Sequence, residues 1–152
     1  MNRKGFTLIE LMVVILIIGI AAGFSVPNLI GSLPLARLNN SADDLKGQLM
    51  VAKSKAISGG VPYIAIFTQN GTSFQVVKDL NSNETVDSGE PTVSIAFTRD
   101  ITSDSIPAGN PSVIIFSPRG DASTSGGVRL TNTRNAKIRI HVVPSGSIIK
   151  QK

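Results

Sequence analysis

From Phe6 to Val26 the chain reads FTLIELMVVILIIGIAAGFSV, an almost unbroken apolar run whose single charge is Glu10. At about 1.5 Å per helical residue such a run is long enough to cross a bilayer core of roughly 30 Å. Before it stands Met1-Asn2-Arg3-Lys4-Gly5, whose two cations Arg3 and Lys4 belong on the cytoplasmic side and place the rest of the chain on the outer face. A plain anchor helix and a cleaved secretory signal both fit this outline. The second draws on Ala21-Ala22-Gly23, small residues that resemble a cleavage site ahead of Phe24.

Glu10 separates these readings. A carboxylate inside an apolar segment costs a few kcal/mol near mid-bilayer, so it calls for a named partner. A new α-amino group made by cutting before Phe6 is the obvious one. Glu10 lies about one helical turn from that amine, poorly aligned for contact within one chain. A neighbouring copy shifted along a common axis would present its amine instead, compensating two desolvated charges and setting the register between copies.

Arg3-Lys4-Gly5 followed by Phe6-Thr7-Leu8-Ile9-Glu10-Leu11 resembles the signal read by prepilin peptidase in type IV pilins and type II secretion pseudopilins. The resemblance implies cleavage between Gly5 and Phe6, N-methylation of Phe6, and an assembly role for Glu10. Gly19 and Pro27 then fall where such helices loosen or kink. Gly weakens a helix interior and Pro removes one of its hydrogen bonds. The implied placement is the bacterial inner membrane, single-pass, with the head in the periplasm or outside, and later a filament. Implied partners are other pilin or pseudopilin subunits, the prepilin peptidase and the inner-membrane assembly platform.

Beyond Pro27 and Pro34 the apolar residues Leu38, Ala42, Leu45, Leu49, Ala52 and Ala56 recur at helical spacing, and Gly59-Gly60 ends the pattern. Asp43 and Asp44 come early in this half, Lys53 and Lys55 late, the order a helix dipole favours. Strand patterns follow at 63–68, 74–78, 93–98, 113–116, 128–132, 137–143 and 147–150. Asn70-Gly71 marks a hairpin between the first two. The expected fold is α+β: a long N-terminal helix, half transmembrane and half amphipathic, packed on an antiparallel β head of two small sheets. The expected division is a leader at 1–5, a transmembrane and assembly helix at 6–30, an amphipathic half at 31–60 and the head at 61–152. Ile114 to Gly120, Gly126 to Thr131 and Ile138 to Gly146 resemble the GspH/FimT group of minor pilins and pseudopilins. That group implies a structural subunit working at or near a filament tip.

Composition excludes much chemistry. With no cysteine and one histidine, neither a disulfide framework nor a multi-His metal site can form. No nucleophile elbow, P-loop or zinc signature appears, so no enzyme and no cofactor are expected. His141 falls on the polar face of its strand beside Lys137 and Arg139. The acids between Asp79 and Glu90 lack calcium-ligand spacing and read as solvated loop residues. Arg119-Gly120-Asp121 reads as a turn. The net charge of +5 falls to +3 without Arg3 and Lys4, a mild balance that names no partner. Arg134, Lys137, Arg139, Lys150 and Lys152, with Arg129 and His141, would make a basic face able to hold DNA phosphates. The alternative function is therefore a FimT-like DNA-binding minor pilin for natural transformation. That group's Gly-Arg-x-Arg ending is replaced here by Gly146-Ser147-Ile148-Ile149-Lys150, and lysine supplies charge without bidentate geometry.

Overall fold

The computed structural model describes residues 5–106, 112–123 and 126–151; side chains are not described at 24–30, 105 and 106. Arg3, Lys4 and Lys152 lie outside the described residues. Among the described residues one helix, α1 (Leu8–Gly59), precedes eight strands: β1 (Tyr63–Phe67), β2 (Ser73–Lys78), β3 (Thr92–Ala96), β4 (Ile101–Ile106), β5 (Ser112–Phe116), β6 (Gly126–Asn132), β7 (Lys137–Val142) and β8 (Ile148–Gln151). The chain divides into two compact units, Met1–Leu33 and Pro34–Lys152.

In the first unit α1 runs through Gly19 and Pro27 without interruption in its assignment. Its side chains from Leu8 to Ile20 are all exposed and, Glu10 excepted, apolar. No helix among the described residues is long and apolar enough to cross a membrane. Two expectations are corrected by this: the apolar transmembrane half of the helix, and the single-pass inner-membrane placement derived from it.

In the second unit the rest of α1 buries one stripe. Leu38, Ala42, Leu45, Leu49, Ala52 and Ala56 are all inaccessible, a 3.6-residue periodicity realised as one face. The helix stops where Gly60 takes φ +65° and donates its N–H to the Ala56 carbonyl at 3.1 Å, a left-handed cap that suits glycine. Asp43 and Asp44 sit mid-helix because α1 begins at Leu8, so the dipole account of their position lapses.

Two four-stranded antiparallel sheets lie under the stripe, in the orders β3-β2-β1-β5 and β4-β6-β7-β8. Alternation sends Ala65, Phe67, Phe74, Ile114 and Phe116 of the first sheet inward, where they meet Val128, Leu130, Ile138, Ile140 and Val142 of the second. Phe67, Phe74 and Phe97 stack in series, with ring centroids 5.3 and 5.5 Å apart. On the other face of the first sheet Ile64, Val77 and Ile115 form a smaller buried cluster.

Strand β4 departs from expectation. Its inward positions are Ile101 and Ser103, the second fully buried, its hydroxyl donating to the Thr68 and Gly71 carbonyls at 3.1 and 3.2 Å. A polar residue satisfied by a turn supplies no hydrophobic alternation, which is why ITSDSI did not read as a strand.

Candidate assembly surfaces

The first surface is the start of α1. Thr7 is its N-cap and Glu10 stands three residues on. The Thr7 hydroxyl accepts the Glu10 N–H at 3.3 Å, and a Glu10 carboxylate oxygen accepts the Thr7 N–H at 3.3 Å and its hydroxyl at 3.2 Å. This is a reciprocal capping box. The T-x-x-E spacing of Thr7 and Glu10 signals it in the sequence. Phe6 stands 81% exposed beside the cap, and Gly5 is exposed with it. A helix that is apolar on all sides is one whose surface is buried in its working state.

The basic residues divide between two faces. Arg129 and Arg139 are cross-strand neighbours on the outer face of the second sheet, with Lys137 opposite Thr131 on the same face. Arg129, Lys137, Arg139 and Gln151 line a polar cleft of about 340 Å³. Arg129 also reaches Asp104 at 3.4 Å. His141 shares this face by alternation with the buried Ile140 and Val142. Arg134 is exposed in the β6–β7 turn, where its N–H is taken by Asn132. Lys150 pairs with Ile140 and so points the other way, toward α1, where it donates to Asp43 at 2.8 Å and to the Asn39 carbonyl at 3.4 Å. Lys137 and Arg139 are therefore brought together with Arg129, and Lys150 is not among them.

The acids between Asp79 and Glu90 close their own loop. Asp79 is fully buried, accepting the N–H groups of Glu84 at 2.8 Å and Asn83 at 3.3 Å. Glu90 accepts those of Leu80 and Asp87 at 2.9 and 3.1 Å. The Asn81 amide, and after it that of Asn83, hold the Asp87 carboxyl below its ordinary 3.8. Asp79 thus corrects the reading of these acids as solvated. Among the described residues no group of His, Asp and Glu side chains is arranged to hold a metal. Arg119-Gly120-Asp121 is a turn, in which Ser117 donates its hydroxyl to the Asp121 carboxylate.

Residues 41–146 match the family model described as type II transport protein GspH. Residues 1–26 match the prokaryotic N-terminal methylation motif. Among curated proteins none matches the chain in sequence. In fold the chain is similar to the type IV minor pilin FimU of Pseudomonas aeruginosa, at 15% identity and a TM-score of 0.55 over 76% of this chain and 88% of that one. It is similar also to two structures of the minor pseudopilin EpsH from the type II secretion system of Vibrio cholerae. Their identities are 11% and 10% and their TM-scores 0.55 and 0.57, over 76% of this chain and 96% and 93% of theirs. At these identities the likeness is one of fold.

Proposed function

Since the chain belongs to the family of type II transport protein GspH, we propose that it is cut between Gly5 and Phe6 by a prepilin peptidase and enters a filament through α1, at or near the tip. Its role is that of a structural minor pilin or pseudopilin, working with other such subunits and the secretion machinery. Assembly is its mechanism, with no covalent chemistry of its own after processing.

The observation that carries the finer reading is Glu10, the one acid on the exposed apolar stretch of α1 from Leu8 to Ile20, near the residue that cleavage would make N-terminal. In the separate chain its carboxylate is held by Thr7. In a filament the apolar helix surface is buried among its neighbours. There the methylated amine of an adjacent Phe6 takes over the carboxylate and fixes the step between subunits. What supports tip placement is the resemblance to the GspH/FimT group, a minor-subunit class.

Two measurements test this. Mass spectrometry of the mature chain is expected to find N-methylated Phe6 at its start; a mature chain retaining residues 1–5 rules the mechanism out. Glu10→Val, produced beside the native filament subunits, is expected to fold and yet be missing from sheared filaments. Normal incorporation of that variant refutes the pairing.

The second reading, DNA capture, is favoured by the Arg129, Lys137 and Arg139 cluster. A mobility shift by the full chain that weakens steeply with salt supports it, and no shift at low salt removes it.

A further inference from the structure

Of the four edge strands among the described residues, three are closed. On the outer side of β4, Ser103 donates its N–H to the Gly71 carbonyl at 2.8 Å. On the outer side of β5, Ser123 donates to the Ile115 carbonyl at 3.0 Å. Strand β8 has four residues and carries Lys150, a short charged edge of the kind that deters strand addition. Strand β3 has none of these devices. Its TVSIA holds no charge and no proline, and its pairing with β2 shows no bulge.

The register settles which backbone groups are open. Lys78 donates to the Pro91 carbonyl at 2.9 Å and Phe97 to the Thr72 carbonyl at 2.8 Å, so residues 91, 93, 95 and 97 turn their backbone groups to β2. The N–H and C=O groups of Thr92, Ser94 and Ala96 face the open side, with no hydrogen-bond partner among the described residues.

Beside this edge α1 and the first sheet leave clefts of about 460 and 220 Å³ that share Gln48, Val51 and Ile95, and so form one groove alongside β3. Val93 is 58% exposed and Val51 46%. Charge is split along it. Asp43 and Asp44 border the end near Phe97 and Thr98, Asp43 already sharing its charge with Lys150. Lys55 and Lys78 border the end near Pro91 and Val93. Glu90, the acid next to that end, spends its carboxylate on backbone N–H groups.

We infer that this edge takes a fifth strand: an extended segment of a neighbouring filament subunit, antiparallel to β3. Its start carries a cation, its alternate side chains are apolar and its end carries a carboxylate. Antiparallel pairs outnumber parallel ones two- to three-fold. That direction begins the segment beside Ala96 and ends it beside Pro91, which sets its cation against Asp44 and its carboxylate against Lys55 and Lys78. The open groups of Thr92, Ser94 and Ala96 hold its backbone, and its apolar side chains fill the groove over Val51, Val93 and Ile95. A filament keeps neighbours at high effective concentration, so a short strand suffices. The inference rests on the subunit reading above, but its test uses the chain alone and leaves the Glu10 result untouched.

The full chain in detergent is titrated with a fluorescent strand peptide that begins with arginine, alternates valine with threonine and ends with aspartate. Anisotropy reads the binding. Saturable binding is expected. Ser94→Pro removes an N–H that β2 does not use, so it is expected to weaken binding about tenfold at unchanged circular dichroism. A peptide with its two charges exchanged is expected to bind the native chain less well, and the double variant Lys55→Glu, Lys78→Glu to reverse that preference. Absence of binding, or indifference to Ser94→Pro or to charge order, overturns the inference. So does a concentration-dependent dimer abolished by Ser94→Pro without peptide binding, because the occupant is then a second copy of this chain.

Discussion

Lys150 Nζ lies 2.8 Å from an Asp43 carboxylate oxygen, joining the last strand to the middle of α1. The Lys150 side chain is 20% exposed and that of Asp43 63%, so water screens half of the pair. The double-mutant cycle of Lys150→Met and Asp43→Asn is expected to give a coupling below about 1 kcal/mol in urea unfolding. A larger coupling shows the pair to be shielded from water. If DNA binding is found, Lys150→Met should leave it unchanged, because the ammonium faces the helix.

Asn132 is buried and makes three bonds at once. Its Oδ1 accepts the N–H groups of Arg134 and Ala136 at 3.0 and 2.9 Å, and its Nδ2 donates to the Pro34 carbonyl at 3.2 Å. Asn132→Ala strands those groups and is expected to cost about 2–3 kcal/mol. Asn132→Asp keeps the turn bonds but sets a buried carboxylate oxygen against the Pro34 carbonyl, so at neutral pH it should cost at least as much. A clearly smaller loss for Asn132→Asp would show that the helix contact contributes little.

Gly146 has φ +71°, and a Cβ there would stand 2.0 Å from the Gly120 carbonyl oxygen. Lys53 donates to the Gly146 carbonyl at 2.9 Å in the same place. Gly146→Ala is expected to destabilise by about 3 kcal/mol or more, since backbone meets backbone and no side chain can give way. A melting point within a degree or two of the native one would refute that packing.

Asp121 supplies the pH dependence. The Ser117 hydroxyl first, then a backbone N–H, hold its carboxyl below the ordinary 3.8. A folded value below the unfolded one means that the contribution to stability is complete above the unfolded value and is lost as pH falls through the folded value. The turn at 117–121 is thus expected to be insensitive to pH at neutrality and to loosen below 3.8. Nuclear magnetic resonance titration of the Gly120 and Asp121 amides reads this. A midpoint above 3.8 would contradict it, and Asp121→Asn should flatten the acid limb.

Thr7→Val removes the oxygen that accepts the Glu10 N–H. The expected loss is about 1 kcal/mol at the first turn of α1, seen as faster amide exchange at Leu8 to Leu11. Unchanged exchange there would mean that the cap contributes nothing.

Legibility in the sequence varied with mechanism. The stripe from Leu38 to Ala56 was readable because burial of one helix face leaves a repeat that no other structure produces. The hairpin at Asn70-Gly71 was readable because Asn70 takes φ 56°, a conformation that few residues adopt. Strand β4 was hidden because Ser103 is buried through hydrogen bonds, and periodicity counts only apolar atoms. Asp79 was misread for the same reason, its carboxylate buried against N–H groups of its own loop. Lys150 looked like part of a basic face because charge counting ignores the alternation that turns it inward. At the start of α1 the basic residues, glycine, phenylalanine and glutamate were legible as a motif. The Thr7 partner of Glu10 is equally legible, in the T-x-x-E spacing of a capping box.

That partnership bears on the entry into a filament proposed above, and the consequence holds for that proposal. The carboxylate of Glu10 does not wait bare for an arriving amine; it already closes the first turn of its own helix. Entry of a subunit is then an exchange at one oxygen, in which a local contact is released as a foreign one forms. The free energy of that step is a difference between the two, smaller than an isolated ion pair would suggest, and an orphan subunit keeps an ordered helix end until its neighbour arrives.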